Sequence, residues 1–474
     1  MRLRERFQIT RPLEEMELAL VRGAIANPTL VDAHEEAVLR TALSLARLYR
    51  VHHEGRDVGV GASLEPFRED LVRRLQPLLL PEKGAIQRTS LLPHLRDLKE
   101  RTLATRDALA RRFASRLPFE AIDRELRHKA LVLVMGGGGG AAYPYLGVMS
   151  LLDEYGLQPK LLVGTSMGSI LALFRSRMKR FEQDEVVGIV RSLSWRKLFR
   201  TISTENRFGV PAALRLFLRS GIGRYFGVDS RGNDGPRLKD LPIKTIIAVS
   251  GIRKGKLPHP LEWYEKLIAV SPRHLLNPLI LPKWFGAIAE FTARPDIMTR
   301  VHLGADEGTD EFDALDAAGF SSALPGIIHY DVLRNDARMH RLLTQYMGDR
   351  GIARFIDGGL VDNVPARAAW RAVHKGELGT RNAFILALNG FSMKLTTPLW
   401  LMLERLAELN VARNRPWAHV LHDFRRTLGP LVIVPTVEQL LQAVHIGRSE
   451  LAWEMQLVAR MMAPLPQLGP PPAT

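Results

Sequence analysis

Short apolar runs alternating with helix-like stretches predict an α/β protein with a central, mostly parallel sheet flanked by helices, an added helical N-terminal region and a helical C-terminal tail. Three observations carry this expectation. ALVLVM (Ala130–Met135) is continuously apolar and stops at five consecutive glycines, Gly136–Gly140, as a buried parallel strand entering a turn does. KLLV (Lys160–Val163) is a second short run and leads directly into a helical pattern, Ser166–Met178. Further runs follow at Lys244–Ser250, Ala353–Asp357, Ala383–Leu388 and Leu431–Val434, spaced as strands separated by helices.

Residues 1–127 precede this pattern and read as helical. His34–Arg50, Phe67–Leu80 and Leu92–Phe113 each place apolar residues at helical spacing. No repeat or catalytic motif occurs there, so a structural or partner-binding role is expected. Residues 128–436 form the sheet domain, in which Tyr145–Leu157 reads as a helix ending at Gly156. Residues 437–474 hold one long amphipathic helix or two over Val437–Met462, then a proline-rich end, APLPQLGPPPAT, whose composition predicts disorder.

Composition narrows the function classes. The 474 residues are 46% apolar, which suits a globular chain long enough for two or three domains. Cysteine is absent, which excludes disulfides, thiolate catalysis and thiolate metal sites and suits a reducing compartment. The formal net charge of +16 favours an anionic partner. Neither zinc-finger spacing nor an aromatic–basic RNA signature is present, so no nucleic acid is expected. The start, MRLRERFQITRPLEE, lacks the apolar core of a secretory signal, and no apolar run reaches the roughly 18 residues of a membrane span. Leu275–Phe291 comes closest and is broken by two prolines and a lysine. A cytoplasmic protein, with room for peripheral membrane contact, is the expectation.

The chemistry concentrates in VGTSMGS. Gly164, Ser166 and Gly168 form G-x-S-x-G between a strand and a helix. A sharp turn there projects the serine outward, and the flanking glycines permit its close approach. The helix N-terminus behind it offers unpaired N–H groups and a positive dipole end to a developing negative charge. A serine hydroxyl needs a base. One option is a Ser-Asp-His triad drawing on His374, His419, His422 or His445, none of which lies in a motif. The other is a Ser-Asp dyad using Asp357, at a strand end and followed by Gly358 and Gly359, where an acid would project from the carboxyl edge of the sheet.

Together these stretches resemble the patatin-like phospholipases. The glycine-rich turn with YLGVMSLLDEYGL, the elbow KLLVGTSMGSILALF and the aspartate motif FIDGGLVDNVPARAA occur in the family's order. LKDLPIKTIIAVS (Leu238–Ser250) and ALDAAGFSSALPGII (Ala314–Ile328) lie between the last two. The resemblance covers about residues 130–390. It implies lipid ester hydrolysis without metal or other cofactor, on a phospholipid or similar substrate. Carried over, Ser166 is the nucleophile, Asp357 the base, and Gly137, Gly138 and Gly139 supply oxyanion-hole amides. In one respect the chain departs from the pattern. The family places an arginine or lysine, then glycine, in the loop where this sequence has Ala141 and Ala142.

A segment of about 252–298 exceeds the family core. Trp284 and Phe285 beside Lys283 suit an interfacial anchor, for which the positive charge would favour an anionic membrane surface; an ordinary core helix with a proline bend reads as well. Two other functions compete. Gly136–Ala141 satisfies G-x-G-x-x-A, but the partner acid of a dinucleotide site is missing at the end of the second strand. A lipid-binding or scaffold protein on the same fold would suit the missing loop cation, but not the presence of both Ser166 and Asp357.

Overall fold

The computed structural model describes residues 3–178, 180–200, 206–229, 235–256, 260, 296–391 and 408–471. Leu275–Phe291, with the anchor candidates Lys283, Trp284 and Phe285, lies outside them. The chain forms two compact units, one of residues 1–132, 370–385 and 452–474, the other of residues 133–369 and 386–451.

The first unit is helical where the periodicity predicts it, with helices Leu3–Ala26, Ala33–Arg47, Glu65–Leu79, Arg88–Phe113 and Phe119–Arg127. Asp32 caps the second of these reciprocally: its carboxylate accepts from Glu35 N, and Glu35 accepts from Asp32 N, both at 2.8 Å. Strands β1 (Arg50–His53) and β2 (Arg56–Gly59) form a hairpin absent from the helical reading. Its turn sets Glu54 and Gly55 at φ 48° and 75°, the two positive values a tight two-residue turn requires. Leu20, Leu39, Leu43 and Ile122 lie at the centre of this core.

A charged cluster is buried in the same unit. Glu17 accepts from Lys129 Nζ at 2.7 Å and Arg40 Nε at 3.1 Å, and Arg47 lies at 3.4 Å. Burial alone would raise the Glu17 carboxyl, but these three cations outweigh it and hold the group well below its ordinary range. Neighbouring Glu14 stands on the other side of the balance, and burial pushes it up to about 7.

The proline-rich end is ordered through residue 471, contrary to its composition. Leu465 and Leu468 are buried. Arg127 Nε donates to Leu465 O, and Arg106 donates to Leu468 O and Pro470 O at 2.6 and 2.8 Å. Two buried leucines and three capped carbonyls anchor a segment that cannot itself form a helix. Before it, Val437–Met462 is one helix rather than two.

Residues 130–132 and 383–385 aside, the second unit holds the sheet. Its strands are β3 (Ala130–Met135), β4 (Pro159–Thr165), β5 (Phe199–Arg200), β6 (Ala212–Leu216), β7 (Lys244–Arg253), β8 (Met298–Leu303), β9 (Gly326–His329), β10 (Ile352–Ile356), β11 (Ala383–Asn389) and β12 (Val420–Asp423). The main sheet runs β10–β7–β4–β3–β11–β12, with β8 also paired to β7, while β5, β6 and β9 form a small separate sheet. β4 is parallel to β7 and β11 to β12; β8 and β10 are antiparallel to β7. β3 and β11 are buried along their whole length, which explains their unbroken apolar sequences. Leu431–Val434 is not a strand. Gly429 and Pro430 impose a turn, with Val432 N bonded to Gly429 O and Ile433 N to Leu431 O, and β12 takes the edge beside β11.

Candidate active site

The nucleophile turn follows from sterics. β4 ends at Thr165, the helix Met167–Arg177 begins two residues on, and Ser166 between them takes φ 51° and ψ −128°. A non-glycine residue held there is strained, by roughly 1–3 kcal/mol. The flanking glycines make the turn possible. A Cβ on Gly164 would stand 2.6 Å from Gly168 O, and one on Gly168 would stand 2.3 Å from Met135 O. Ser321 Oγ braces the turn by accepting from Ser166 N at 2.8 Å and donating to Ala248 O at 2.6 Å. Ser169 N bonds back to Ser166 O, leaving the first amides of the helix, Met167 and Gly168, without intrahelical acceptors.

Asp357 reaches Ser166 by a different path from the one expected. Its strand does not run with its neighbour to a shared carboxyl edge. β7 continues past the end of β4, whose Thr165 pairs with Ala248, and β10 lies antiparallel along that extension with Ile356 opposite Ser250. The acid therefore enters from beyond the end of β4. Gly358 turns the chain where a Cβ would fall 2.2 Å from Ala248 O, and Asp357 N bonds Ala323 O.

The Asp357 carboxylate accepts from Gly359 N at 2.7 Å, and the Ser166 side chain lies near enough to favour its charged form. It is 6% exposed. Burial raises its pKa to about 6, against the opposing pull of the Ser166 hydroxyl and the Gly359 amide. No histidine is bonded to Asp357 or Ser166 among the described residues. His374 instead bonds Tyr49 Oη at 2.8 Å in the first unit, and His302 bonds Asp362 at 3.0 Å.

The glycine loop faces the serine. Gly138 and Gly139 adopt φ 138° and 56°, values that only glycine takes without strain. The loop packs on backbone: a Cβ on Gly139 would fall 2.1 Å from Pro430 O, and one on Gly140 2.4 Å from Gly429 O. Among the described residues, no acceptor takes the Gly138 or Gly139 amide. Gly137 N, in contrast, is held by Asn363 through its Oδ1 at 3.1 Å and its backbone carbonyl at 3.3 Å. Ala141 and Ala142 stand where a cation was expected, and both are buried. A long charged side chain at Ala141 would have to displace the neighbours that bury it.

These groups line one cavity of about 150 Å³. Ser166, Asp357, Gly137, Gly138, Gly139 and Asn363 supply its polar side. Ile170, Phe199, Leu216, Leu324, Ile327, Ile328, Leu360 and Phe391 supply an apolar one, suited to a hydrocarbon chain. Ser321 and Asn363 were not singled out from sequence, although both fall inside stretches that carry the resemblance. Hydroxyl and amide residues in loops carry no periodicity, so only the surrounding motif could have marked them. Among the described residues no group of acids and histidines is arranged to hold a metal ion, and no helix is long and apolar enough to cross a membrane.

A family model for patatin-like phospholipase matches residues 133–370, from within β3 through the aspartate motif and into the following helix. No curated protein matches the chain. The match spans half of the chain and takes in the elbow, the glycine loop that faces it and the buried aspartate, which places this chain in the patatin-like phospholipase family.

Proposed function

We propose that the protein is a serine acyl hydrolase that cleaves lipid carboxylic esters through a Ser166–Asp357 dyad. The observation that carries this reading is that Ser166 and the buried carboxylate of Asp357 line one largely apolar cavity together with the glycine loop. A carboxyl with a pKa of about 6 is mostly ionised at neutral pH, yet basic enough to take a proton.

In this mechanism Asp357 accepts the hydroxyl proton as Ser166 Oγ attacks the ester carbonyl. The carbonyl oxygen becomes an oxyanion, received by the open amides of Gly138 and Gly139, with Gly137 positioned behind them by Asn363. The intermediate collapses as the protonated Asp357 returns the proton to the leaving alcohol, leaving an acyl-serine. Water then enters, Asp357 takes its proton, and the second collapse releases the fatty acid and restores Ser166. The strained Ser166 backbone keeps Oγ pointed at the substrate without any rearrangement.

Attraction to an anionic membrane surface belongs to the same proposal. Leu431, at the cavity wall, is 58% exposed, and Trp195 is 45% exposed beside Arg196 and Lys197. An exposed aromatic flanked by cations suits a lipid interface. Hydrolysis of a short-chain p-nitrophenyl ester tests the chemistry. Ser166→Ala and Asp357→Asn should each abolish it, and turnover surviving in Asp357→Asn would rule out the dyad. Sedimentation with anionic and neutral liposomes tests the surface contact, which equal and negligible binding to both would eliminate.

A further inference from the structure

The aspartate turn has a second side. Asp362, five residues beyond Asp357, lines a separate cavity of about 380 Å³ together with Arg300, Arg367, Arg413 and Asn414. Both of its carboxylate oxygens already have partners. His302 Nε2 bonds Oδ2 at 3.0 Å, and Asn414 Nδ2 donates to Oδ1 at 2.7 Å. Asn414 is fixed in turn, accepting from Arg367 N at 3.0 Å and donating to Asn410 O. Arg300 on β8 comes no nearer to Asp362 than 3.9 Å, and its Nε is buried without a hydrogen-bond partner. Arg367 lies over the Trp417 ring at 5.2 Å. Arg413 pairs with no acid among the described residues. Among the described residues, three arginines line this cavity, and the one carboxylate beside them has its own partners.

We infer that the cavity lined by Arg300, Arg367 and Arg413 binds a phosphate group. Planar guanidinium donors match phosphate oxygens, and among the described lining residues three arginines stand against one carboxylate that already has partners, which favours an anion. The cavity adjoins the catalytic one through the chain itself. Asp362 lines the first and Asn363 the second, and Asp362 O accepts from the hydroxyl of Thr165, the residue before Ser166, at 3.1 Å. Phosphate could arrive as a lipid headgroup or as a free phosphate. Phosphate binding stands apart from the hydrolase reading; only the headgroup assignment rests on it.

Calorimetric titration of the full chain with inorganic phosphate tests the site without any turnover. Saturable binding is expected, weakened roughly tenfold by Arg300→Gln and by Arg413→Gln, one charge-assisted contact each. Arg426→Gln, outside this cavity, should bind as wild type. No saturable binding by wild type, or equal binding by the two cavity variants, overturns the site. A kinetic arm separates the sources. If the ligand is a headgroup, Arg413→Gln raises KM severalfold for an anionic phospholipid in mixed micelles while leaving kcat and p-nitrophenyl ester hydrolysis unchanged. If phosphate binding weakens but that KM does not move, the site stands as one for a free phosphate and the headgroup assignment fails.

Discussion

Asp357→Asn should stabilise the protein at neutral pH while removing its activity. The folded carboxyl has its pKa raised from the ordinary 3.8 to about 6, chiefly by burial. Between those values the folded state holds a proton that the unfolded state has released. Stability therefore falls as pH rises through this window and is fully diminished above about pH 6. A shift of roughly two units at about 1.4 kcal/mol each amounts to about 3 kcal/mol. The asparagine variant does not titrate, so its advantage over wild type should be about 3 kcal/mol larger at pH 7.5 than at pH 3.5. Any hydrogen bond that the amide itself breaks or forms shifts both values equally and cancels in that difference. Urea unfolding of both proteins across this range measures it. A difference that is independent of pH, or that grows toward acid, would refute the claim that burial strains this carboxylate.

Four further outcomes rest on named residues. The acid limb of kcat/KM for a neutral ester should fall below about pH 6, as the raised Asp357 carboxyl takes up its proton; a pH–rate profile reads this directly. Ser321→Ala leaves the Ser166 amide without its acceptor and should cost about 1–3 kcal/mol in denaturant unfolding, with kcat reduced more than KM. Ala141→Arg, which would supply the family's cation, should yield little folded protein rather than a faster enzyme, because the position is 2% exposed and overpacking there is aggravated by a buried charge; soluble yield and melting temperature check it. Glu17→Gln strands Lys129, Arg40 and Arg47 around a neutral partner and should destabilise the first unit by about 3–5 kcal/mol, seen by thermal or urea unfolding.

What could be read from sequence was what depends on local pattern. The strand at Ala130–Met135 is apolar throughout because both of its faces are covered, and Gly164-Thr165-Ser166-Met167-Gly168 states its own geometry because close approach demands those glycines. Ser166 was legible as a candidate for this reason; Asp357 was legible from its place before Gly358 and Gly359, and the two line one cavity. What depends on partners far along the chain could not be read. The antiparallel course of β10 is set by the extension of β7 past β4, which no stretch of either strand reveals. The run at Leu431–Val434 has the composition of a strand but follows Gly429-Pro430, and its place beside β11 is taken by residues 420–423. Composition also misjudged the proline-rich end, whose two leucines find a core made by other segments. The burial of the loop alanines shows only in three dimensions, where Ala141 is 2% exposed at the position of the cation that the family pattern carries.

In the proposed mechanism Ser166 becomes acylated with Asp357 as its base. Labelling with a fluorophosphonate, followed by mass spectrometry of the digested protein, tests it most directly. A single adduct on the peptide containing Ser166 is predicted, absent from Ser166→Ala and strongly slowed in Asp357→Asn. An adduct on any other residue, or labelling of Asp357→Asn at the wild-type rate, would contradict the account.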